Sequence, residues 1–402
     1  MPARMSRIEF VALMAMMVAT VAFSIDSMLP ALPQIGSELV PDNPNSAQLI
    51  LSAFIIGMGT GTLFVGPLSD AFGRRPVIFA GAALYIFGSA LAWAAPSMEL
   101  MVAARLCQGI GAAAPRVVSL AIIRDFHSGR EMARLLSFVM IVFTVFPAIA
   151  PLIGSGIIAL AGWRAIFAAY VIFSVLSVAW LALRLPEPLP SGERRPFRAR
   201  QIVEAMREMA AIPMVRLSII AQSLVFGTLF TSISLIQPVF EQAFGRGDSF
   251  PFWFFVIGVV CATSSMVNAR FVMKYGMRAI VTATLSVSAV LAVLMVLVRL
   301  SGIAGDAEFW VFLVWQGTVF YQMGLTVGNL NALAMEPLGH IAGTAASVIG
   351  AISTVFAGVV AALIAQTFDG SPLPLYLGAL VFTSIALPTV LKMRKLERVS
   401  EI

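Results

Sequence analysis

Three ionisable side chains lie deep inside long apolar stretches of this chain, and they are its first candidates for chemistry. They are Asp26, Arg105 and Arg116. A charge at the centre of a membrane-spanning helix costs roughly 2.5–3.5 kcal/mol to insert, so such residues are functional candidates by default. One carboxylate and two guanidinium groups point to the binding of protons or of a polar ligand.

Asp26 and Arg105 are predicted to lie at a similar depth in the membrane. Asp26 follows the inner end of its stretch by about 18 residues, or roughly 27 Å at 1.5 Å per helical residue. Arg105 precedes Arg124, at the inner end of another stretch, by 19 residues. Opposite charges at one depth relieve each other's burial cost. We therefore expect an ion pair, either one that opens when Asp26 takes up a proton or a permanent structural pair.

Arg116 lies on the same stretch as Arg105, 11 residues further along and directly after Pro115. It cannot face the same partner as Arg105. Two interpretations stay open. Arg116 either lines the inner half of a cavity and meets an anionic or dipolar substrate, or extends its guanidinium towards the cytoplasmic surface.

The second half of the chain has no Asp or Glu deep inside an apolar stretch. Neutral polar and aromatic side chains stand there instead, which suits weak binding of varied amphipathic molecules. Helix packing is the alternative role for each of them. Together with Asp26 and Arg116, the candidate substrate-binding residues are Gln222, Phe226, Phe230, Gln316, Tyr321 and Asn329.

The composition excludes a soluble protein. Of 402 residues, 59% are hydrophobic and 11% are charged, whereas soluble domains average about 25% charged residues. The net charge of +6 comes from arginines at the ends of apolar runs, which argues against nucleic acid as a partner. Cys107 and Cys261 both fall inside apolar runs and are expected to pack there, not to form a disulfide or bind a metal.

Twelve membrane-spanning helices must position these residues. Runs of about 20 apolar residues are long enough to cross a bilayer. The first begins after Arg4 and Arg7, carries Asp26 and lacks a small-residue cleavage site, so we interpret it as a retained helix, not a signal peptide. The runs lie near 8–32, 47–68, 77–95, 98–122, 134–160, 163–184, 214–240, 250–272, 278–299, 308–333, 341–367 and 373–392.

The basic residues of the short loops predict the orientation. With the N-terminus inside, the outer flanks hold only Arg164, Arg246 and Arg299, and the other Lys and Arg clusters are cytoplasmic. The opposite orientation reverses this bias. Both termini are therefore predicted to be cytoplasmic.

Residues 185–212 form the one long polar connection, rich in proline and arginine. Proline breaks helix continuity, and clustered arginines suit a linker at the lipid surface. The linker separates a six-helix half, 1–184, from a second one, 213–402. Segment 270–278 of the second half repeats, in degenerate form, the charged turn at 70–75 of the first.

That charged turn joins the second and third spans and contains Gly66, Asp70 and Gly73-Arg74-Arg75. Gly73 allows a positive φ, and the arginines hold the turn in the cytoplasm. The pattern G-x-L-x-D-x-x-G-R-R resembles the loop signature of the major facilitator superfamily of secondary transporters. Ala71 stands where that family has a basic residue, which weakens a claim about a charge network in the turn but leaves the resemblance intact.

Two more segments resemble motifs of the same superfamily. Residues 105–111 resemble its fourth-span motif R-x-x-Q-G-x-G, whose arginine is implicated in proton transfer, and the resemblance implies that role for Arg105. Residues 147–156 resemble the antiporter motif of drug exporters, with Ala150 in place of a glycine. Small residues and prolines let helices approach closely and bend. Conformational roles are expected for Gly66, Asp70, Gly73, Arg74, Arg75, Gln108, Gly109, Pro147, Pro151 and Gly154.

Segments 25–33, 124–125, 162–167 and 342–347 look like the Bcr/CflA group of bacterial drug:proton antiporters. The resemblance implies an all-α fold of two six-helix halves. It also implies a monomer in the bacterial inner membrane that exports chloramphenicol-, bicyclomycin- or sulfonamide-like compounds against protons by alternating access. The partners are then the substrate, protons and the bilayer, without nucleic acid, cofactor or metal.

Two other functions stay open. The chain could export or co-transport with protons one dedicated metabolite. A membrane enzyme or receptor is more remote, because the sequence has no Gly-x-x-x-x-Gly-Lys, His-Glu-x-x-His or Gly-x-Ser-x-Gly pattern. We therefore predict a transporter without enzymatic activity.

Overall fold

The computed structural model describes residues 5–400, with the side chains of Ala133 and of residues 396–400 left outside the description. Within this part of the chain the secondary structure consists of 15 α-helices, with short 3₁₀ turns and one π-helical turn between them, and no strand. The predicted all-α membrane fold is confirmed.

The helices fall into two series along the chain. The first runs α1 Arg7–Asp26, α2 Leu32–Leu39, α3 Leu49–Phe72, α4 Arg74–Trp93, α5 Met98–Phe126, α6 Gly129–Ala161 and α7 Ala165–Arg184. After α8, Ala199–Ala211, the second runs α9 Pro213–Pro238, α10 Phe250–Ala262, α11 Ser264–Tyr275, α12 Met277–Ser301, α13 Glu308–Met335, α14 Ala342–Ala365 and α15 Leu373–Ser400.

Eleven segments of the described chain are long and apolar enough to cross a membrane. One of them, Gly305–Ala365, has 61 residues, about three times the length that a single crossing needs. It contains α13 and α14, which a 3₁₀ turn at Glu336–Ile341 separates. Counting these helices separately gives the twelve crossings that the apolar runs predict.

The chain folds into two compact units, Met1–Ile202 and Val203–Ile402. Their boundary falls within α8, inside the segment 185–212 that the sequence identifies as a linker. The finer division into 1–184, 185–212 and 213–402 stays a prediction.

The first crossing is interrupted, although its apolar run predicts one helix over 8–32. Helix α1 ends at Asp26, a 3₁₀ turn follows at Leu29–Ala31, and α2 then begins. Proline has no N–H, and its ring collides with the carbonyl four residues earlier in a helix. Pro30 therefore prevents α1 from continuing as a regular helix past Asp26. The acidic residue consequently stands at a helix end and not at mid-helix.

Helices α3 and α5 touch through their backbones in the first unit. A β-carbon added at Gly109 would overlap the carbonyl oxygen of Phe54, and one added at Gly57 would overlap that of Leu106. The two glycines thus form a reciprocal contact, as small residues do in membrane helix pairs. The close approach predicted for Gly109 is confirmed.

Gly109→Ala should lower the stability of the protein. The new methyl group has only the α3 backbone beside it, and overpacking of this kind costs typically about 1–3 kcal/mol. Thermal unfolding of the purified protein in detergent measures the loss. Gly156→Ala is the matched control, because a β-carbon at Gly156, in α6, meets nothing within 4 Å. Equal unfolding temperatures for the two variants would contradict the contact.

Candidate functional site

At the C-terminal end of α1, side chains of other helices donate hydrogen bonds to a free backbone carbonyl. The last carbonyls of a helix lack backbone partners. The carbonyl oxygen of Ser24 accepts hydrogen bonds from Arg105 Nη2 at 2.9 Å and from the Tyr170 hydroxyl at 3.2 Å. A cation at a helix C-terminus is favourable because the helix dipole is negative there. Arg105 therefore holds α1 at the point where its helix stops.

The other nitrogens of the Arg105 guanidinium also have hydrogen-bond acceptors, and none of these acceptors is a carboxylate. The side chain is fully buried. Its Nη1 donates to Gln108 Oε1, its Nε donates to the carbonyl oxygen of Ile50 at 3.3 Å, and its carbon lies 4.5 Å from the centre of the Phe54 ring. Within the described chain no ion pair joins Arg105 to Asp26, so the predicted pair is absent. The physical reason is that backbone carbonyls and one amide take the positive charge.

Hydroxyl groups fix the backbone on both sides of Asp26. The Ser24 hydroxyl lies 2.7 Å from that of Tyr85, and the Ser27 hydroxyl lies 2.9 Å from that of Tyr170. These four side chains are all buried, so the bonds are shielded from water. No sequence motif predicted these bonds. The available signal was the pair of serines that flank an intramembrane acid.

Asp26 itself is buried, at 5% exposure. Its carboxyl group has no hydrogen bond or ion pair with another described residue. Burial of a carboxylate without a partner is costly, and either protonation or a ligand's donor group removes that cost. The site can therefore bind a proton or a hydrogen-bond donor, which are the two tasks predicted for Asp26.

The predicted antiporter segment packs directly against this break. Pro147 and Pro151 lie within α6, which continues as a helix past both. A β-carbon on Gly154 would overlap the carbonyl oxygen of Ser27. The small residue of α6 thus makes room for the turn that follows Asp26. Conformational roles for these three residues stay predictions.

Arg116 has few partners within the first unit. It is partly buried, its Nη1 lies 3.8 Å from Met58 Sδ, and its guanidinium carbon lies 5.9 Å from the centre of the Phe143 ring. No described carboxylate is within ion-pair distance. A guanidinium has five N–H donors, so most of its hydrogen-bonding capacity is left for a ligand or for water.

The polar residues predicted to bind substrate in the second unit fall into two groups, those with a hydrogen-bond partner and those without one among the described residues. Asn329 donates to Asn268 Oδ1 at 2.8 Å, and the Tyr321 hydroxyl lies 3.4 Å from that of Thr263. By contrast, Gln222 Oε1 and both amide atoms of Gln316 are buried and have no partner among the described residues. Buried polar groups nearly always have a partner, so these two glutamines are the stronger ligand-binding candidates.

Two aromatic residues of the second unit lie side by side. The Phe226 and Phe230 rings on α9 are 5.9 Å apart between centroids. Phe230 is buried and Phe226 is partly buried. Neighbouring rings on one helix present an apolar surface, of the kind that lines small-molecule sites.

The turn between α3 and α4 holds a charge network, although Ala71 stands in place of the family's basic residue. Arg74 is buried, and its Nε donates to Asp125 Oδ2 at 2.7 Å. Its Nη1 donates to Ser69 Oγ at 2.8 Å and also to Asp70. Arg74 thus supplies the cation of the network, and a basic residue at position 71 is not needed.

Two glycines shape the same turn. Gly73 has a φ of +102°, a value that side-chain-bearing residues rarely adopt. It ends α3 and begins α4, as the sequence predicts. The carbonyl oxygen of Gly66 accepts a hydrogen bond of 2.8 Å from the Ser69 hydroxyl.

Glu187, in the linker, caps the beginning of α4. Its carboxylate accepts hydrogen bonds from the backbone N–H groups of Arg74, at 2.8 Å, and Arg75, at 2.9 Å. A carboxylate at a helix N-terminus satisfies free N–H groups and complements the dipole. Asp70 strengthens the attachment, because its carbonyl oxygen accepts from the N–H of Arg195 at 3.0 Å. Glu187 was missed, although an acid in a basic linker was a visible signal.

Glu187→Ala should free the linker from this turn. Loss of a helix cap costs typically about 1 kcal/mol, so trypsin should cleave after Arg194 and Arg198 roughly fivefold faster. The measurement is limited proteolysis of the purified protein. Glu193→Ala, an exposed linker variant without a side-chain hydrogen bond in the described chain, is the control and should be cleaved as the wild type. If Glu187→Ala is cleaved at the wild-type rate, Glu187 does not attach the linker to the α3–α4 turn.

Comparison with known proteins identifies relatives of this chain. An uncharacterised MFS-type transporter of Bacillus subtilis is 28% identical over 90% of both chains. A bicyclomycin resistance protein homolog of Haemophilus influenzae is 29% identical over 90% of this chain and 91% of its own. Multidrug resistance protein MdtL of Shigella dysenteriae is 30% identical over 56% of each.

Solved structures share the fold. A D-xylose-proton symporter superposes with a TM-score of 0.74 at 17% identity, over 96% of this chain and 97% of its own. The human organic anion transporter MFSD10 superposes with a TM-score of 0.69 at 16% identity, over 97% and 100%. The model of the Major Facilitator Superfamily matches residues 11–387. The chain therefore belongs to the Major Facilitator Superfamily, as the turn at Asp70 and the motif at Arg105 predict.

Proposed function

We propose that this chain is a proton-coupled multidrug exporter that works by alternating access. The observation that carries the proposal is the Asp26 carboxyl group, which is buried at the break in α1 without a hydrogen bond or ion pair to any residue that the structure describes. The names of two relatives, one for bicyclomycin resistance and one for multidrug resistance, support the drug-export part.

Coupling follows from what the Asp26 carboxyl group can bind. Ionised, it needs a counter-charge or donor, and the buried surroundings supply none from a described residue. Protonated, it is neutral and is buried at lower cost. A proton from outside and a donor group of the cargo then compete for one site, so cargo leaves as the proton binds. This competition replaces the opening of an Asp26–Arg105 ion pair as the coupling step.

Arg105 serves as a positioning residue in this mechanism. Its bond to the Ser24 carbonyl fixes the end of α1, and Tyr170 fixes the same carbonyl and Ser27. Asp26, which lies between Ser24 and Ser27, is thereby held at the end of α1. Arg105 thus supports proton binding without accepting the proton.

Cargo recognition is assigned to groups with free bonding capacity in each unit. In the first unit these are Asp26 and Arg116. In the second they are Gln222 and Gln316, with aromatic surface from Phe226, while Phe230, Tyr321 and Asn329 support it. A few polar groups amid apolar surface favour small amphipathic compounds of varied shape.

The location proposed for the exporter is the bacterial inner membrane, as a monomer with both termini in the cytoplasm. The distribution of arginines supports this orientation, since the outer flanks carry only three. The chain performs transport in this proposal and catalyses no reaction.

Drug susceptibility of an efflux-deficient bacterial host tests the function. Cells that express the chain should tolerate higher concentrations of chloramphenicol or bicyclomycin than cells with an empty vector, and a protonophore should remove the difference. Equal susceptibility at confirmed membrane expression would reject drug export. Flux of one endogenous metabolite without any drug response would instead identify a dedicated metabolite transporter.

A further inference from the structure

A pocket of about 840 Å³ lies between the first turns of α1 and α6. None of the residues assigned to proton or cargo binding lines it. Its wall is formed by Arg7, Ile8, Val11, Ala12, Ala15, Arg130, Glu131, Arg134, Leu135, Phe138 and Val142. The pocket is therefore separate from the groups proposed for proton and cargo binding.

The charged groups of the pocket are mainly cationic. Three arginines and one glutamate give a formal charge of 3 − 1 = +2. Glu131 is already engaged, because its carboxylate lies 3.2 Å from Arg7 Nη2 and 3.5 Å from His127 Nδ1. Arg130 and Arg134 have no acidic partner in the described chain. An anionic group therefore fits this end of the pocket.

The remaining wall is apolar and continues along both helices. On α1 it runs from Arg7 to Ala15, and on α6 from Arg134 to Val142. Eight residues span about 12 Å along a helix. The arginines stand at the beginning of both helices and the apolar side chains follow, so the occupant is charged at one end and apolar over about 12 Å beyond it.

We propose that this pocket binds an anionic phospholipid of the cytoplasmic leaflet. Arg130 and Arg134 hold the phosphate of the headgroup, and an acyl chain lies along Val11, Phe138 and Val142. Basic pockets between helices on the cytoplasmic side suit such headgroups. A zwitterionic lipid adds an ammonium group, which the net positive charge disfavours. The leaflet follows from the proposed orientation, and the site goes beyond the transport function.

Native mass spectrometry of the purified full chain tests the site, with phosphatidylglycerol, phosphatidylethanolamine and inorganic phosphate as separate probes. The variant R130Q/R134Q removes the two arginines that have no acidic partner among the described residues. The control R195Q/R198Q removes two exposed linker arginines from the same unit. Each basic residue near anionic lipid contributes about 1 kcal/mol, so R130Q/R134Q should bind phosphatidylglycerol roughly 30-fold more weakly.

The wild type and the control should bind phosphatidylglycerol alike, and both should prefer it to phosphatidylethanolamine. Equal affinity of R130Q/R134Q and the wild type would overturn the proposal. So would equal losses in the two double variants, which would indicate a general charge effect. If inorganic phosphate binds as tightly as phosphatidylglycerol, the apolar wall has no role and the site is not a lipid site. Drug efflux is not a readout here, so the result is independent of the proposed function.

Discussion

Asp26→Asn abolishes proton-driven efflux and leaves the protein folded: this is the largest effect that the structure leads us to expect. The asparagine amide has the shape of the carboxyl group but cannot gain or lose a proton near neutral pH. With no titrating group at the break in α1, a pH gradient no longer drives cargo. In proteoliposomes, gradient-driven drug transport should fall to the level of protein-free vesicles.

Two comparisons make this experiment specific. Downhill exchange of drug without a pH gradient should persist in Asp26→Asn, which separates lost coupling from lost folding. Asp42→Asn, in an exposed loop, removes a carboxylate outside the site and should transport as the wild type. Full gradient-driven transport by Asp26→Asn would refute the assignment of the proton site.

Arg105→Lys should both destabilise the protein and slow transport. Lysine keeps the charge, but one ammonium group cannot reach the three acceptors that the planar guanidinium bonds. Buried acceptors on Ser24, Gln108 and Ile50 would compete for it. Unmade bonds of this kind cost about 1–3 kcal/mol each, so we expect a loss of about 2–5 kcal/mol in the free energy of unfolding.

Arg116→Lys provides the matched control on the same helix. Its guanidinium has only a thioether at 3.8 Å and a ring nearby, so stability should hardly change. Thermal unfolding in detergent compares the two variants. Equal unfolding temperatures would contradict the role of Arg105 in completing the end of α1, whatever happens to transport.

Much of this architecture could be predicted from the sequence. Charged side chains are costly to place in hydrocarbon, so the length of each apolar run between them indicated a crossing. The turn at Gly73 and the close packing at Gly109 followed from what glycine alone permits. These features are local, and each depends on a few neighbouring residues.

The partners of Arg105 could not be predicted in this way. Counting residues along a helix gives the depth of a side chain but not the direction in which it points. Its principal acceptors include backbone carbonyls, which every residue has and no sequence pattern marks. The similar depth of Asp26 and Arg105 therefore led to a wrong prediction of an ion pair. Helix α1 ends at Asp26, and the free carbonyl group of Ser24 accepts from Arg105 instead.

Glu187 illustrates a second limit. It lies 113 residues from Arg74 along the chain, and its task is to accept two backbone N–H groups. An acid in a basic linker was visible in the sequence, but nothing there showed which backbone N–H groups it would cap. The sequence predicts a polar and basic linker, but its attachment to the α3–α4 turn depends on a contact between distant parts of the chain.

The glycine contact between α3 and α5 has a mechanical consequence. Backbones that touch at van der Waals distance cannot slide past each other, because packed interiors have few voids. We therefore expect these two helices to move together during a transport cycle. Shape change within this half is then expected at the break after Asp26 and at the prolines of α6, which lack a backbone N–H donor.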